Sequence, residues 1–186
     1  MTKRQLRKAA RIHVSNGLSK QETYDILKSE NKISSDDLGR IVQTIASLNA
    51  RIKFKIMNGN LMLIIVFTII LKILTLIWNY SDGESNWFQG ISLLMSILFL
   101  IGVARYYKGT YVAIMVIYSI GLVGVILSFD YNFEAYEIVN LAIFIALILL
   151  SYLLNKKLFP NFTKEKQLYR NRFNQDRMRY LIKFED

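Results

Sequence analysis

The sequence predicts an all-α integral membrane protein: a four-helix up-down-up-down bundle with a small N-terminal cytosolic three-helix domain and a C-terminal cytosolic amphipathic helix. Three observations carry this prediction. Apolar runs at residues 61–78, 88–104, 111–129 and 138–154 each approach the ~20 residues that a helix needs to cross hydrocarbon. The connections between them are short, which makes consecutive helices antiparallel neighbours. All of the 24 Lys and Arg residues except Lys72 fall before the first run, in the 105–108 connection or after the fourth run. The other two connections carry Asp82, Glu84, Asp130, Glu134 and Glu137 and no base. The positive-inside rule then places both termini in the cytosol, with the bundle in the cell's inner (cytoplasmic) membrane. The expected domains are 1–57 (basic, cytosolic), 58–158 (transmembrane bundle) and 159–186 (basic tail).

The N-terminal helices have recognisable starts. Thr2 with Gln5, and Ser19 with Glu22, have capping-box spacing, and Ser34 or Ser35 can cap a third helix with Asp36 and Asp37 in its first turn. Asn16-Gly17 and Asn31-Lys32 supply the stops for the first two. Apolar residues recur at helical spacing: Leu6, Ala10 and His13 or Val14; Tyr24 and Leu27; then Leu38, Ile41, Val42, Ile45 and Leu48 in a third helix expected to run through Leu48. About 50 residues make only a marginal domain alone. No h-region precedes the first span, which is expected to serve as its own insertion signal.

In the bundle, Lys108-Gly109 is expected to form the inner turn and Ser81-Asp82-Gly83 to begin the first outer one. Trp78, Tyr80, Trp87, Tyr106, Tyr107, Tyr111, Tyr131 and Tyr152 lie near span ends, where aromatic belts form. Pro160 stops the fourth helix. In the tail, Leu168, Tyr169, Phe173, Tyr180, Leu181 and Phe184 alternate with arginines in an imperfect amphipathic pattern, expected to lie on the inner leaflet or against the first domain.

Composition excludes several function classes. With no cysteine and one histidine among 186 residues, disulfides, thiolate metal sites and Cys nucleophiles are ruled out, and nearly all zinc and iron sites with them. No catalytic, cofactor-binding or metal-ligating set is expected. Abundant Lys, Asn and Ile suit a bacterial chain from an AT-rich genome.

Lys72 is the most costly residue, because a lysine at mid-span costs about 2.5–3.5 kcal/mol on insertion scales. Thr68, Thr75 and Asn79 share its helix face; Gln89, Ser92 and Ser96 share a face of the second span; Glu137 and Asn140 begin the fourth. These nine residues form the candidate intramembrane polar site. Lys72 is expected either to snorkel outward or pair with Glu137 and so lock the bundle, or to set the charge of an outward-open vestibule. On the third span Gly121, Gly124 and Ser128 make a candidate helix-packing face, within the bundle or between copies in a homo-oligomer.

Two short stretches resemble known motifs. Gly17-Leu18-Ser19-Lys20-Gln21-Glu22, followed by Leu27 and a third helix from Ser35, looks like the start of a helix-turn-helix DNA reader over about 30 residues, although Asp36 and Asp37 stand where phosphate would approach and Tyr24 where a small residue is usual. Arg7 and His13 have the Arg-x5-His spacing that resembles the motif of HEPN ribonucleases, but the segment is shorter than a HEPN bundle. The net charge of +10 points to anionic lipid head groups or a cytosolic protein partner in addition to the lipid bilayer itself, with nucleic acid disfavoured. The expected function is a non-enzymatic interaction or regulatory module acting through its basic cytosolic face. The alternative is an oligomeric pore or permeability-altering effector, such as an accessory of a CRISPR-type bacterial antiviral system.

Overall fold

The computed structural model describes residues 1–31, 33–81, 87–127, 135–170 and 176–184, and for 81, 135–137, 168–170 and 176–179 the backbone alone. It is mostly helical and divides into two compact units, Met1–Ile52 with Lys157–Asp186, and Lys53–Lys156.

The first unit contains α1 (Lys3–Ser15), α2 (Lys20–Glu30), α3 (Ser35–Gln43) and most of α4 (Leu48–Lys53). Both capping boxes form: Thr2 with Gln5, and Ser19 with Glu22. Ser34, not Ser35, caps α3. At the end of α1 the Leu18 and Gly17 amides donate to the His13 and Val14 carbonyls. Gly17 has φ +92° there, a left-handed conformation that glycine takes without steric cost. Leu6, Ala10 and Val14 of α1 pack with Tyr24, Leu27, Leu38, Ile41, Val42 and Ile45 into one buried core, and His13 is only half-buried.

Two expectations fail in this unit. The third helix does not run through Leu48: it ends at Gln43, where the Thr44 hydroxyl donates to the Ile41 carbonyl at 2.7 Å. Ser47 then accepts the Ala50 amide at 3.3 Å and starts α4, leaving Leu48 substantially exposed. The local side-chain bonds of Thr44 and Ser47 compete successfully with helix continuation.

The C-terminal segment is not an amphipathic helix. It is an antiparallel hairpin of β1 (Phe162–Arg170) and β2 (Asp176–Phe184), in which Phe162 opposes Phe184, Lys164 opposes Ile182 and Lys166 opposes Tyr180. The cause is an alternation of period two: Phe162, Ile182 and Phe184 point to one face and join the helical core. The close approach falls at Gly39 of α3, where a Cβ would lie 2.8 Å from Ile182 Cδ1. Polar contacts fix the seat: the Phe184 amide donates to Gln21 Oε1 at 3.1 Å, Lys164 pairs with Asp36 at 2.6 Å, and Gln43 donates to Asn161 at 2.6 Å. Lys20, almost wholly buried, donates to the Leu158 carbonyl at 3.3 Å.

The second unit contains α5 (Lys55–Ser81), α6 (Trp87–Ala104), α7 (Lys108–Leu127) and α8 (Ala135–Leu158), whose last two residues belong to the first unit. All four helices are long and apolar enough to cross a membrane. Large apolar side chains stay open on every one, among them Ile56 and Leu127, each 81% exposed. Water does not tolerate such a surface, and lipid does. The inner turn is not Lys108-Gly109, both of which lie inside α7. The Tyr107 and Tyr106 amides donate to the Gly102 and Val103 carbonyls, each at 3.0 Å, closing α6 with Tyr106 at φ 52°.

Glu22 accepts hydrogen bonds from the Ser19 amide and hydroxyl, and these hold its carboxyl below the ordinary 4.5. A carboxylate depressed on folding stabilises the folded form above its unfolded pKa, and that contribution disappears as pH falls through the folded value. Protection of the amides in the first turn of α2, taken relative to their intrinsic exchange rates, is therefore expected to fall below about pH 4.5. Glu22→Gln should flatten that dependence.

Candidate functional site in the helical bundle

The α5 polar residues recur at three- and four-residue intervals, so they share one face. Lys72 extends from that face to α6, where its ammonium donates to Ser96 Oγ at 2.8 Å and to the Ser92 carbonyl at 3.1 Å. Ser96 is almost fully buried near the midpoint of α6 and itself donates to the Ser92 carbonyl at 3.1 Å. The ammonium is thus drawn into the bundle and does not snorkel outward. A pair with Glu137 falls outside the described side chains. Beside this pair the Tyr118 ring of α7 lies 6.3 Å from the Phe99 ring of α6 and packs edge-on against Phe144 of α8, 5.2 Å between centroids. A polar node therefore joins α5 to α6, and aromatic contacts join α6 to α7 and α7 to α8.

Above this node lies a cavity of about 400 Å³, which takes its polar lining from Thr68, Lys72 and Thr75 of α5, Gln89 and Ser92 of α6, and Asn140 of α8. Phe88, Val125 and Phe144 contribute to its apolar walls. The threonine hydroxyls are committed to their own helix: Thr68 donates to the Ile64 carbonyl at 2.8 Å and Thr75 to the Leu71 carbonyl at 3.0 Å. Gln89 and Asn140 have no hydrogen-bond partner among the described residues. Seven of the nine proposed residues therefore gather at one place, six on the cavity and Ser96 beneath it. Asn79 does not line the cavity, and Glu137 contributes only a backbone position in α8. A larger cleft of about 490 Å³ between α5 and α8 is apolar throughout, lined by residues such as Leu63, Phe67, Ala142 and Ala146. It suits hydrocarbon and offers no group for chemistry or orientation.

The proposed packing face divides. A Cβ at Gly121 would touch the Phe144 ring at 3.0 Å, so this glycine serves packing between α7 and α8 within the chain. Gly124 meets nothing, and Ser128 lies outside the described residues.

Sequence reasoning missed a second polar node. Tyr111, assigned above to the aromatic belt, is fully buried, and its hydroxyl donates to Asn58 Oδ1 at 2.6 Å. Asn58 Nδ2 donates to the Val103 carbonyl at 3.3 Å, so this node joins α5, α6 and α7. Gly102 sits beside it because a Cβ there would collide with Thr110. The available signal was Asn58 itself, an amide opening an apolar helix, which needs a partner within the membrane. By contrast Trp78, Tyr80, Trp87 and Tyr152 are exposed as belt residues would be, and Tyr131 lies outside the described residues.

In the first unit, Arg4, Arg7 and Lys8 project from one exposed face of α1. The acids opening α3 are engaged, Asp37 by Lys3 at 3.3 Å and Asp36 by Lys164. The Lys3 ammonium holds the Asp37 carboxyl below its ordinary range. Among the described residues no three His, Asp or Glu side chains cluster as metal ligands would. No protein family, curated protein or solved structure matches the chain.

Removing the Tyr111 hydroxyl leaves Asn58 Oδ1 buried without its donor. Tyr111→Phe is expected to lower bundle stability in detergent or bicelles by about 1–2 kcal/mol. Pairing it with Asn58→Leu should cost less than the sum of the two single changes, measured by thermal unfolding.

Proposed function

We propose that this chain is a non-enzymatic multi-pass protein of the cytoplasmic membrane that serves as an interaction and regulatory module. Its basic unit works at the cytosolic face, and its four helices cross the bilayer up, down, up and down. The observation that carries this reading is the shared core of the first unit, where Ile182, Phe162 and Phe184 from one end of the chain pack with α1–α3 from the other. Two ends separated by four spans can join only after an even number of crossings, which puts both on one side. The charge distribution makes that side cytosolic.

Contacts between neighbours support the antiparallel order. Asn58 near the start of α5 meets Val103 near the end of α6, whereas Lys72 further along meets Ser92 and Ser96. Phe99 meets Tyr118, and Gly102 approaches Thr110, as α6 and α7 require if they run oppositely.

The exposed basic face of α1, with Arg4, Arg7 and Lys8, suits an acidic partner, and anionic lipid head groups are the nearest one. The acidic opening of α3 argues against DNA reading, since a recognition helix presents that end to phosphates. A second reading, an oligomeric pore, draws on the Lys72 cavity. Against passage through a single bundle stands the fully buried Tyr111–Asn58 node, so conduction would require several copies to build a path between them.

The absence of native cysteine permits a direct test. Ser85→Cys and Asn132→Cys are expected to react with an impermeant maleimide in intact cells, and Ser15→Cys only after lysis. Purified full-length protein in liposomes is expected to cause no dye leakage. Leakage abolished by Lys72→Met would instead establish the pore reading.

A further inference from the structure

We propose that the cavity above Lys72 binds a single-chain amphiphile with a carboxylate head, taken up from the bilayer, with its head on Lys72, Gln89 and Asn140 and its chain along the apolar wall. The inference stands apart from the role assigned to the basic unit.

It begins with unused donors. An ammonium carries three N–H groups, and Lys72 commits two of them, to Ser96 Oγ and the Ser92 carbonyl. Gln89 and Asn140 each bring an amide NH2 with no partner among the described residues. All three groups line one cavity whose described walls contain no carboxylate. The carbonyl and hydroxyl that hold Lys72 are neutral, so they orient its charge without cancelling it. In a low-dielectric setting such a cation gains most from an anion that also accepts hydrogen bonds.

The remaining lining selects what carries the anion. Phe88, Val125 and Phe144 present apolar surface, and Phe88 is 60% exposed, so the cavity reaches the outside of the bundle beside it. That opening lies beside the exposed Trp87, at the end of the span where head groups give way to hydrocarbon. A volume near 400 Å³ falls in the range of small-molecule sites. A free inorganic anion would have to give up its hydration and cover none of the apolar wall, whereas an amphiphile brings its chain with it.

Trp78 and Trp87 provide the readout. The full-length protein, purified in a neutral detergent, is titrated with a brominated fatty acid and, separately, with the matching brominated fatty alcohol. Saturable quenching by the acid is expected, with the alcohol binding about tenfold more weakly. Lys72→Met should weaken acid binding about tenfold and bring it level with the alcohol. Because Lys72 also holds helices together, Asn140→Leu serves as a second variant that leaves the Lys72 bonds in place; a several-fold loss is expected. Acetate and inorganic phosphate at millimolar concentration should not displace the acid. Non-saturating quenching, equal affinity for acid and alcohol, or unchanged binding in both weakened variants would overturn the proposal. Displacement by acetate or phosphate would overturn its amphiphile part and assign the site to a free anion.

Discussion

Inside hydrocarbon no water competes for a hydrogen bond, so each polar group of the bundle must find its partner in the protein. The rest of this architecture depends on how Lys72 meets that constraint. Its ammonium takes a carbonyl and a hydroxyl from α6, which fixes α5 against α6. A second node repeats the arrangement with different chemistry, an asparagine from α5, a carbonyl from α6 and a tyrosine from α7. Ser96 and Val103, which carry the two nodes on α6, are seven residues apart, so both nodes fall on one seam. Apolar packing among lipid-like side chains gives little preference for one register over another, and two polar nodes supply it.

Much of this was legible in the sequence because it rests on local chemistry. The capping boxes at Thr2 and Ser19, the glycine stop at Gly17 and the four apolar helices all depend on neighbours within a few residues. What was illegible depends on partners far away in the chain. The tail has side chains compatible with either a helix of imperfect amphipathicity or two strands. The strands win because Ile182, Phe162 and Phe184 can then fill the open side of a three-helix core too small to close on itself. Likewise Tyr111 stands at a helix end as belt tyrosines do, and only the distant Asn58 explains its complete burial.

The polar site was readable as a set and unreadable in its geometry. Stripes at helical spacing on α5 and α6 converge because antiparallel neighbours oblige them to, and Asn140 joins from α8. The direction taken by Lys72 could not be inferred, since a long flexible stem reaches outward or inward with similar ease. Thr68 and Thr75 look polar in sequence but spend their hydroxyl protons on their own helix. The capacity to bind a ligand consequently concentrates in Lys72, Gln89 and Asn140. The small residues of α7 divide for a similar reason: Gly121 has Phe144 opposite it and Gly124 has nothing.

The most direct measurement of the inward-held lysine is a double-mutant cycle on Lys72→Met and Ser96→Ala, with the unfolding free energy of the full-length protein measured in bicelles. The hydrogen bond between the two side chains should give a coupling of about 1–2 kcal/mol, each single variant losing most of what the double variant loses. Additivity within about 0.3 kcal/mol would contradict it, since it would mean that Lys72 does not rely on Ser96.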